Sequence, residues 1–452
     1  MNYLDRLAAF VAATRFDALP MSTVAAAKLV LLDTLGAIVA GSAMPENGEL
    51  ARLAAGRSPS GGATLLGHRG KADAFWAALT NATAGVALEV DEGSRLGGGH
   101  PAIHVVPGAL AVAEERRLDG RRLLESVVAG YEVGSRIGGA TTVRPNVHSH
   151  GTWGTISTAV AVAKLGGAPG ATVRAAMNLA ASMSPANTWT PALDGATIRN
   201  LYPGRSAFQG ILAVELERCG FTGLGDAPSD VYGTILAERF EPGARRRRDR
   251  GAPRAPGHTG SSRTTSSCTR VADSITSRST RSWRSGRLSP LGQRHRESGD
   301  RHDSLRGADG RAGARQLARR PVLDPVGRRG GARPRANRSV GLRLARRSPT
   351  SASARSRSES RSVRAPTMTP RRADAPTAHV RLVLRGGKSF ERTTSVVRGD
   401  ALSPVPRDEI TAKFVSLAGP VLGDAGARKI IDVVEEIDSL DDVGSLTAML
   451  AP

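Results

Sequence analysis

Over the first 240 residues, apolar side chains recur every three or four positions, and almost nothing alternates with the period of a strand. The stretch "STVAAAKLVLLDTLGAIVAG" (22–41) opens on a Ser/Thr cap signal and stops at Gly41, which predicts a buried helix. "HPAIHVVPGALAVAEERRLDG" (100–120) follows a glycine run and closes in basic residues and Gly120. In "GRRLLESVVAGYEVGSRIGGA" (120–140), Leu123, Leu124, Val127, Val128 and Tyr131 share one helical face. Further helices are predicted over 150–167, 170–184 and 204–223, all rich in Gly, Ala and Ser. Residues that small let helix axes approach closely, so the expectation is an all-helical domain over 1–242.

That pattern stops near residue 243. Residues 241–372 hold 34 Arg, no Lys and one aromatic, Trp283, and no period survives for more than a few positions. Such a segment buries too little apolar surface to offset its chain entropy, and disorder is its physical expectation. Alternation returns in "AHVRLVLRGGKSFERTTSVV" (378–397) around Gly386-Gly387, a hairpin signal. Two amphipathic helices with acidic starts follow, over 403–423 and 424–443. The organisation read from the chain is 1–242 helical, 243–375 Arg/Ser/Pro-rich, 376–400 a hairpin, and 401–452 C-terminal helices.

Charge changes this picture less than its total implies. The formal net charge is +22, which by itself points to a nucleic-acid partner. Yet 34 of the 63 basic residues lie in the one block against nine acidic ones, and the rest of the chain is close to neutral. The block lacks the interleaved aromatics and repeats of an RNA-binding segment, so any nucleic-acid binding is expected to be non-specific. Two cysteines, Cys219 and Cys268, are too few for a disulfide framework and fit a reducing compartment. The start "MNYLDRLAAF" carries Asp5 and no cationic region, unlike a secretory leader. The most apolar run holds Lys28 and Asp33, which favours a buried helix over a membrane span. The expected location is the cytoplasm, with no membrane partner.

Six segments, in order, carry a resemblance: "LLDTLGAIVAGS", "ALEVDEGSRLGGGHPAIHVVPGALAVAE", "GYEVGSRIGGA", "HSHGTWGTISTAVAVAKLGG", "IRNLYPGRSAFQGILAVELERCGFTG" and "DEITAKFVSLAGPVLG". Residues 5–240 and 378–450 thereby resemble the MmgE/PrpD family, whose members include 2-methylcitrate dehydratase and cis-aconitate decarboxylase. The resemblance implies a mainly α fold: a large helical domain built from both chain ends, with a smaller α+β lid inserted between. It also implies a lyase, first of all a 2-methylcitrate dehydratase-like hydro-lyase of propionate metabolism. A cis-aconitate decarboxylase-like or isomerase activity is the alternative within the family. No metal or organic cofactor is implied, and a homodimer is.

Such a reaction needs groups that hold carboxylates and an acid–base pair that moves a proton beside one. His100 stands before Pro101 at a predicted helix start, where partial positive charge suits an anion. The resemblance makes it the first catalytic candidate. His148 joins it, six residues before the glycine that matches Gly154, and so does Asp91. His104 reads as a packing residue one turn further on, and His150 is off the family's register. Glu89, Asp91 and Glu92 stand where the family has an acidic segment ending in Thr, here replaced by Gly93 or Ser94. Glu89 and Ser94 are candidate substrate contacts, and the bland alternative is a solvated acidic loop. Arg199 and Tyr202 complete the candidates, the arginine because its planar fork suits a carboxylate; Arg205 reads as structural. The competing class is a helical scaffold with a basic nucleic-acid-binding segment.

The Arg-rich block stands where the lid is expected. The family's lid opens on an aromatic-Phe-Lys-x-His segment. Read one base out of frame from Arg263, permitted codons for residues 263–284 can spell such a segment and the helix after it. A displaced frame in a GC-rich gene, entered near 243 and left near 373, accounts for a block free of Lys and almost free of aromatics. The chain as written then lacks the lid's Lys and His, and little or no turnover is expected from it.

Overall fold

The computed structural model describes residues 2–94, 97–242, 378–383, 387, 389–394, 399 and 404–452. The 243–375 block and the turn residue Gly386 lie outside the described residues. The structure is mostly helical. Its N-terminal helices are α1 (Tyr3–Ala13), α2 (Met21–Ser42), α3 (Pro45–Arg57), α4 (Ala74–Gly85), α5 (Pro101–Glu115), α6 (Gly120–Ala140), α7 (Gly154–Leu165), α8 (Gly170–Ser182), α9 (Thr190–Leu193), α10 (Leu201–Arg218) and α11 (Ala227–Asp230). The C-terminal helices are α12 (Arg407–Leu422), α13 (Asp424–Glu435) and α14 (Gly444–Met449).

The helix starts follow local chemistry. Asp73 and Asp119 each accept a backbone N–H of the first turn, from Trp76 at 2.9 Å and Arg122 at 2.8 Å, and so cap α4 and α6. Pro101 at the first position of α5 lacks the N–H that would have gone unpaired there. The Ser/Thr signal expected to open α2 makes no cap; Pro20 precedes the helix instead. Helix α5 ends at Glu115, short of the basic residues.

The core lies where α2, α4, α5, α6, α7 and α10 pack on one another. Helix α2 has the length and apolarity of a membrane span, but 16 of its 22 residues are buried among these neighbours. Small residues set the spacing. A Cβ on Gly134 of α6 would stand 1.8 Å from Ser157 Oγ of α7, so that crossing requires glycine. Helix α12 runs against α2, its Phe414 ring lying where a side chain on Gly36 would be. Truncating a fully buried residue such as Leu35 or Phe414 costs about 2–5 kcal/mol.

The strands are few. Antiparallel β1 (Ala63–Thr64) and β2 (Lys71–Ala72) are tied to α5 through Glu114, which accepts from Thr64 N, Thr64 Oγ1 and Lys71 Nζ at 2.6–2.8 Å. β3 (Thr141–Val143) pairs antiparallel with β4 (Ala237–Phe240), with a register shift between Thr142 and Val143. β5 (Ala378–Val383) and β6 (Ser389–Thr394) form a two-stranded sheet.

Candidate active site

Two loops and the ends of two helices build the site. The first loop joins α4 to α5. It enters through Glu89, a non-glycine residue at φ 55°, a backbone state that costs energy and is held by its surroundings. The loop then closes on itself: Ser94 N donates to Gly99 O at 2.7 Å, Gly99 N to Ser94 O at 3.2 Å, and Gly97 N to Ser94 Oγ at 3.0 Å. This turn delivers His100 to the N-terminal end of α5, where its Nδ1 lies 3.0 Å from Asp91 Oδ2. Both side chains are buried, with 6% and 1% of their surfaces exposed. Of the acidic loop, Asp91 and Glu92 are therefore buried rather than solvated. Glu92 turns inward as well, accepting from Ala102 N of α5 at 3.1 Å and from Tyr131 Oη of α6 at 2.5 Å.

The second loop precedes α7. An isolated bridge pairs Val147 with Thr188, and His148 N donates to Asn187 O at 2.8 Å. His148 Nδ1 accepts the backbone N–H of His150 at 3.0 Å, which assigns the neutral ring's proton to Nε2. The same ring lies 3.9 Å from the Trp189 ring and 5.6 Å from that of Tyr202, centroid to centroid. His150 sits amid the other imidazoles, at 4.4 Å from His100, 5.0 Å from His148 and 5.7 Å from His104. It is 2% exposed, and neither of its ring nitrogens has a hydrogen-bond partner among the described residues. His104 lies behind it, with Nδ1 2.6 Å from Ser206 Oγ of α10. It packs there because Gly154 leaves room: a Cβ on Gly154 would fall 2.4 Å from the His104 ring.

Arg199 enters just before α10. It is buried, and its Nη1 meets Glu89 Oε1 at 2.5 Å and the carbonyl of Val86 at 3.3 Å. Glu89 itself is 58% exposed, so the pair joins an open carboxylate to a buried cation. The Tyr202 hydroxyl donates to Thr188 O at 3.3 Å and the Arg205 guanidinium to Asn187 Oδ1 at 2.6 Å, so both hold the segment after α8 that pairs with the second loop.

Electrostatics separates the titratable groups. Burial alone would raise Asp91, but the neighbouring His100 and then Arg199 hold it below the usual carboxylate range. Glu92 goes the other way: burial pushes it up to about 7, against the pull of Tyr131 and His100. Burial drives His104 down to about 3 and His150 well below the ordinary imidazole value, with His100 adding to both. Two neutral imidazoles and one firmly ionised carboxylate thus surround His100 at neutral pH.

Of the residues singled out in the sequence, Asp91, His100 and His148 come together, and Glu89 and Arg199 form an ion pair beside them. Ser94 and Tyr202 direct their hydroxyls to loop backbone. Sequence reasoning passed over His150, which the fold places at the centre, and gave Glu92 no role. The "HSHG" spacing is the signal for His150, because alternate loop residues so close in sequence can share one concavity. One ligand atom each from Asp91, His100 and His150 lies within 4.8 Å of the others, a spacing that could hold a metal ion. That spacing includes the 3.0 Å contact between His100 Nδ1 and Asp91 Oδ2.

Comparison with known proteins agrees with the sequence resemblance. The MmgE/PrpD N-terminal domain matches residues 5–237. A cis-aconitate decarboxylase-like protein (oryM) of Aspergillus oryzae is 24% identical over 246 residues, which are 52% of this chain and 51% of that protein. Cis-aconitate decarboxylase of Aspergillus terreus is 24% identical over 229 residues, 49% of this chain and 46% of that protein. The chain therefore spans about half the length of the curated relatives it matches. With more than half of its residues covered by that domain, the chain belongs to the MmgE/PrpD family.

Proposed function

We propose that the site serves lyase chemistry on a small di- or tricarboxylic acid. The observation that carries this is the buried Asp91–His100 pair, 3.0 Å apart at a helix N-terminal end, with His150 and His148 against it. Asp91 stands 3.0 Å from His100 Nδ1, so proton transfer is assigned to Nε2, the far side of the ring. His100 removes a proton next to a substrate carboxylate, or returns one to the carbanion or leaving hydroxyl. Neutral His150 lines the concavity without adding charge, with His148 beside it. A substrate carboxylate takes the place of the exposed Glu89 carboxylate on Arg199, whose fork suits two oxygens. Ser94 and Tyr202 shape the two walls. A homodimer in the cytoplasm belongs to the same reading, on the strength of the family.

Dehydration of a 2-methylcitrate-like acid and decarboxylation of a cis-aconitate-like acid both use this proton transfer. The names of the two Aspergillus relatives favour the second; the sequence reading favours the first. Calorimetry with both acids tests the site, and NMR of the mixtures identifies product as either a lost water or a lost carboxylate. Weak binding that His100→Ala and Arg199→Ala each abolish is the expected result. Absence of binding by either acid, or binding that neither substitution touches, overturns the proposal.

A further inference from the structure

Three distant parts of the chain converge on one buried ammonium. Lys413 lies on α12, 4% exposed, and its Nζ donates to Asp33 Oδ1 of α2 at 2.5 Å and to the carbonyl of Val90 at 2.6 Å. Val90 immediately precedes Asp91. The Asp33 side chain is fully buried, and Oδ2 has no hydrogen-bond partner among the described residues. An ion pair this deep is costly to desolvate and weak evidence for stability. A hydrophobic pair would fill the same space at least as well. Its geometry does something a hydrophobic pair cannot: it ties the backbone at Val90 to a rigid point on two core helices.

We infer that Lys413 is a positioning residue, acting through the Val90 carbonyl and Asp33 to hold Asp91 against His100. This role rests on the proposed Asp91–His100 pair and deepens it. A displacement of about 1 Å at Asp91 would loosen a 3.0 Å contact, and contacts of this kind are sensitive to such shifts. Burial and the nearby charge of Asp91 both raise Asp33, while Lys413 opposes them. The cation therefore also shields Asp91 from a second carboxylate. The C-terminal segment thus reaches the site without touching substrate.

The test measures the coupling between Asp91 and His100 rather than stability. In selectively labelled protein, the NMR titration midpoint of His100, assigned with His100→Gln, is compared with and without Asp91→Asn. Loss of a carboxylate at ion-pair distance lowers that midpoint by roughly one unit or more. The comparison is then repeated in Lys413→Met, and in the apolar double variant Asp33→Leu with Lys413→Met, which keeps the fold if the single variant does not. Glu92, His104, His148, His150 and Arg199, the other groups facing His100, are the same in every arm. The expected result is that the shift caused by Asp91→Asn at least halves in the Lys413 backgrounds. An equal shift in all backgrounds overturns the positioning role alone. An unmoved midpoint on Asp91→Asn in the otherwise unaltered chain overturns the Asp91–His100 pair, and this role with it.

Discussion

His150 carries the sharpest conflict between stability and use. An imidazole with no hydrogen-bond partner for either nitrogen among the described residues, at 2% exposure, forgoes hydrogen bonds that water would supply, a penalty of about 1–3 kcal/mol. A residue kept for packing would be apolar. His150→Leu is therefore expected to raise stability by about 1–2 kcal/mol, read as a higher denaturant midpoint, while abolishing binding of the carboxylic acids. Loss of stability together with unchanged binding would return His150 to a packing role. Glu92 gives a second residue-scale expectation, in pH. Its folded value of about 7 stands above the ordinary 4.5, so the folded state holds the extra proton. Below pH 4.5 both states are protonated and nothing is lost. As pH rises from 4.5 to 7 the unfolded state releases its proton first, and stability falls. Above 7 the loss is complete, at about 3 kcal/mol. Glu92→Gln keeps the shape without the titration, so the difference between variant and parent unfolding energies should grow across that window and then level off. A flat difference from pH 4 to 8 would refute it.

The elements owe their precision to close approaches that few residues permit. Helix α7 begins at Gly154, a residue that must be glycine because the His104 ring occupies the space of a side chain there. Gly154→Ala should cost about 1–3 kcal/mol, as overpacked cores do, and should shift the His104 and His150 NMR signals together. A neutral substitution would mean that α7 can slide on α5. The same close approaches set how far the sequence could be read. Helix α6 was legible to the residue, because Leu123, Leu124, Val127, Val128 and Tyr131 repeat on one face. Helices α1, α3 and α4, of 11, 13 and 12 residues, were not singled out. Asp91, His100 and His148 were legible because their motifs are local. Their depth was not. The acidic loop reads as solvated until Tyr131, 39 residues beyond Glu92, closes over it. His150 was missed for the same reason, since burial and ring contacts come from chain segments far apart. Lys413 looks like an ordinary helical lysine until its partners 323 and 380 residues away are known.

At the scale of the whole chain, one observation constrains the rest: a buried cluster of titratable side chains among packed helices shares a chain with 34 arginines in 132 positions. The described site residues come from 89–206, and the proposed brace is Lys413. The Arg-rich block gives the chain its charge, and any nucleic-acid binding should be independent of sequence and fall steeply with salt. It also supplies no Lys and no aromatic but Trp283, where the sequence resemblance implies a lid bearing Lys and His. A basic segment selected for nucleic acid would be expected to mix Lys with Arg and to interleave aromatic residues. A shifted frame in a GC-rich gene need do neither. Nucleotide sequence across codons 240–380 should therefore show displacement near 243 and its reversal near 373. The chain translated in the restored frame should gain turnover by at least the 10²–10⁴-fold that a positioned acid or base supplies, while the chain as written stays near background. An uninterrupted gene with this translation, whose purified product turns over 2-methylcitrate or cis-aconitate at enzyme rates, would sink the frame argument. It would also show that the two helical walls alone complete the site.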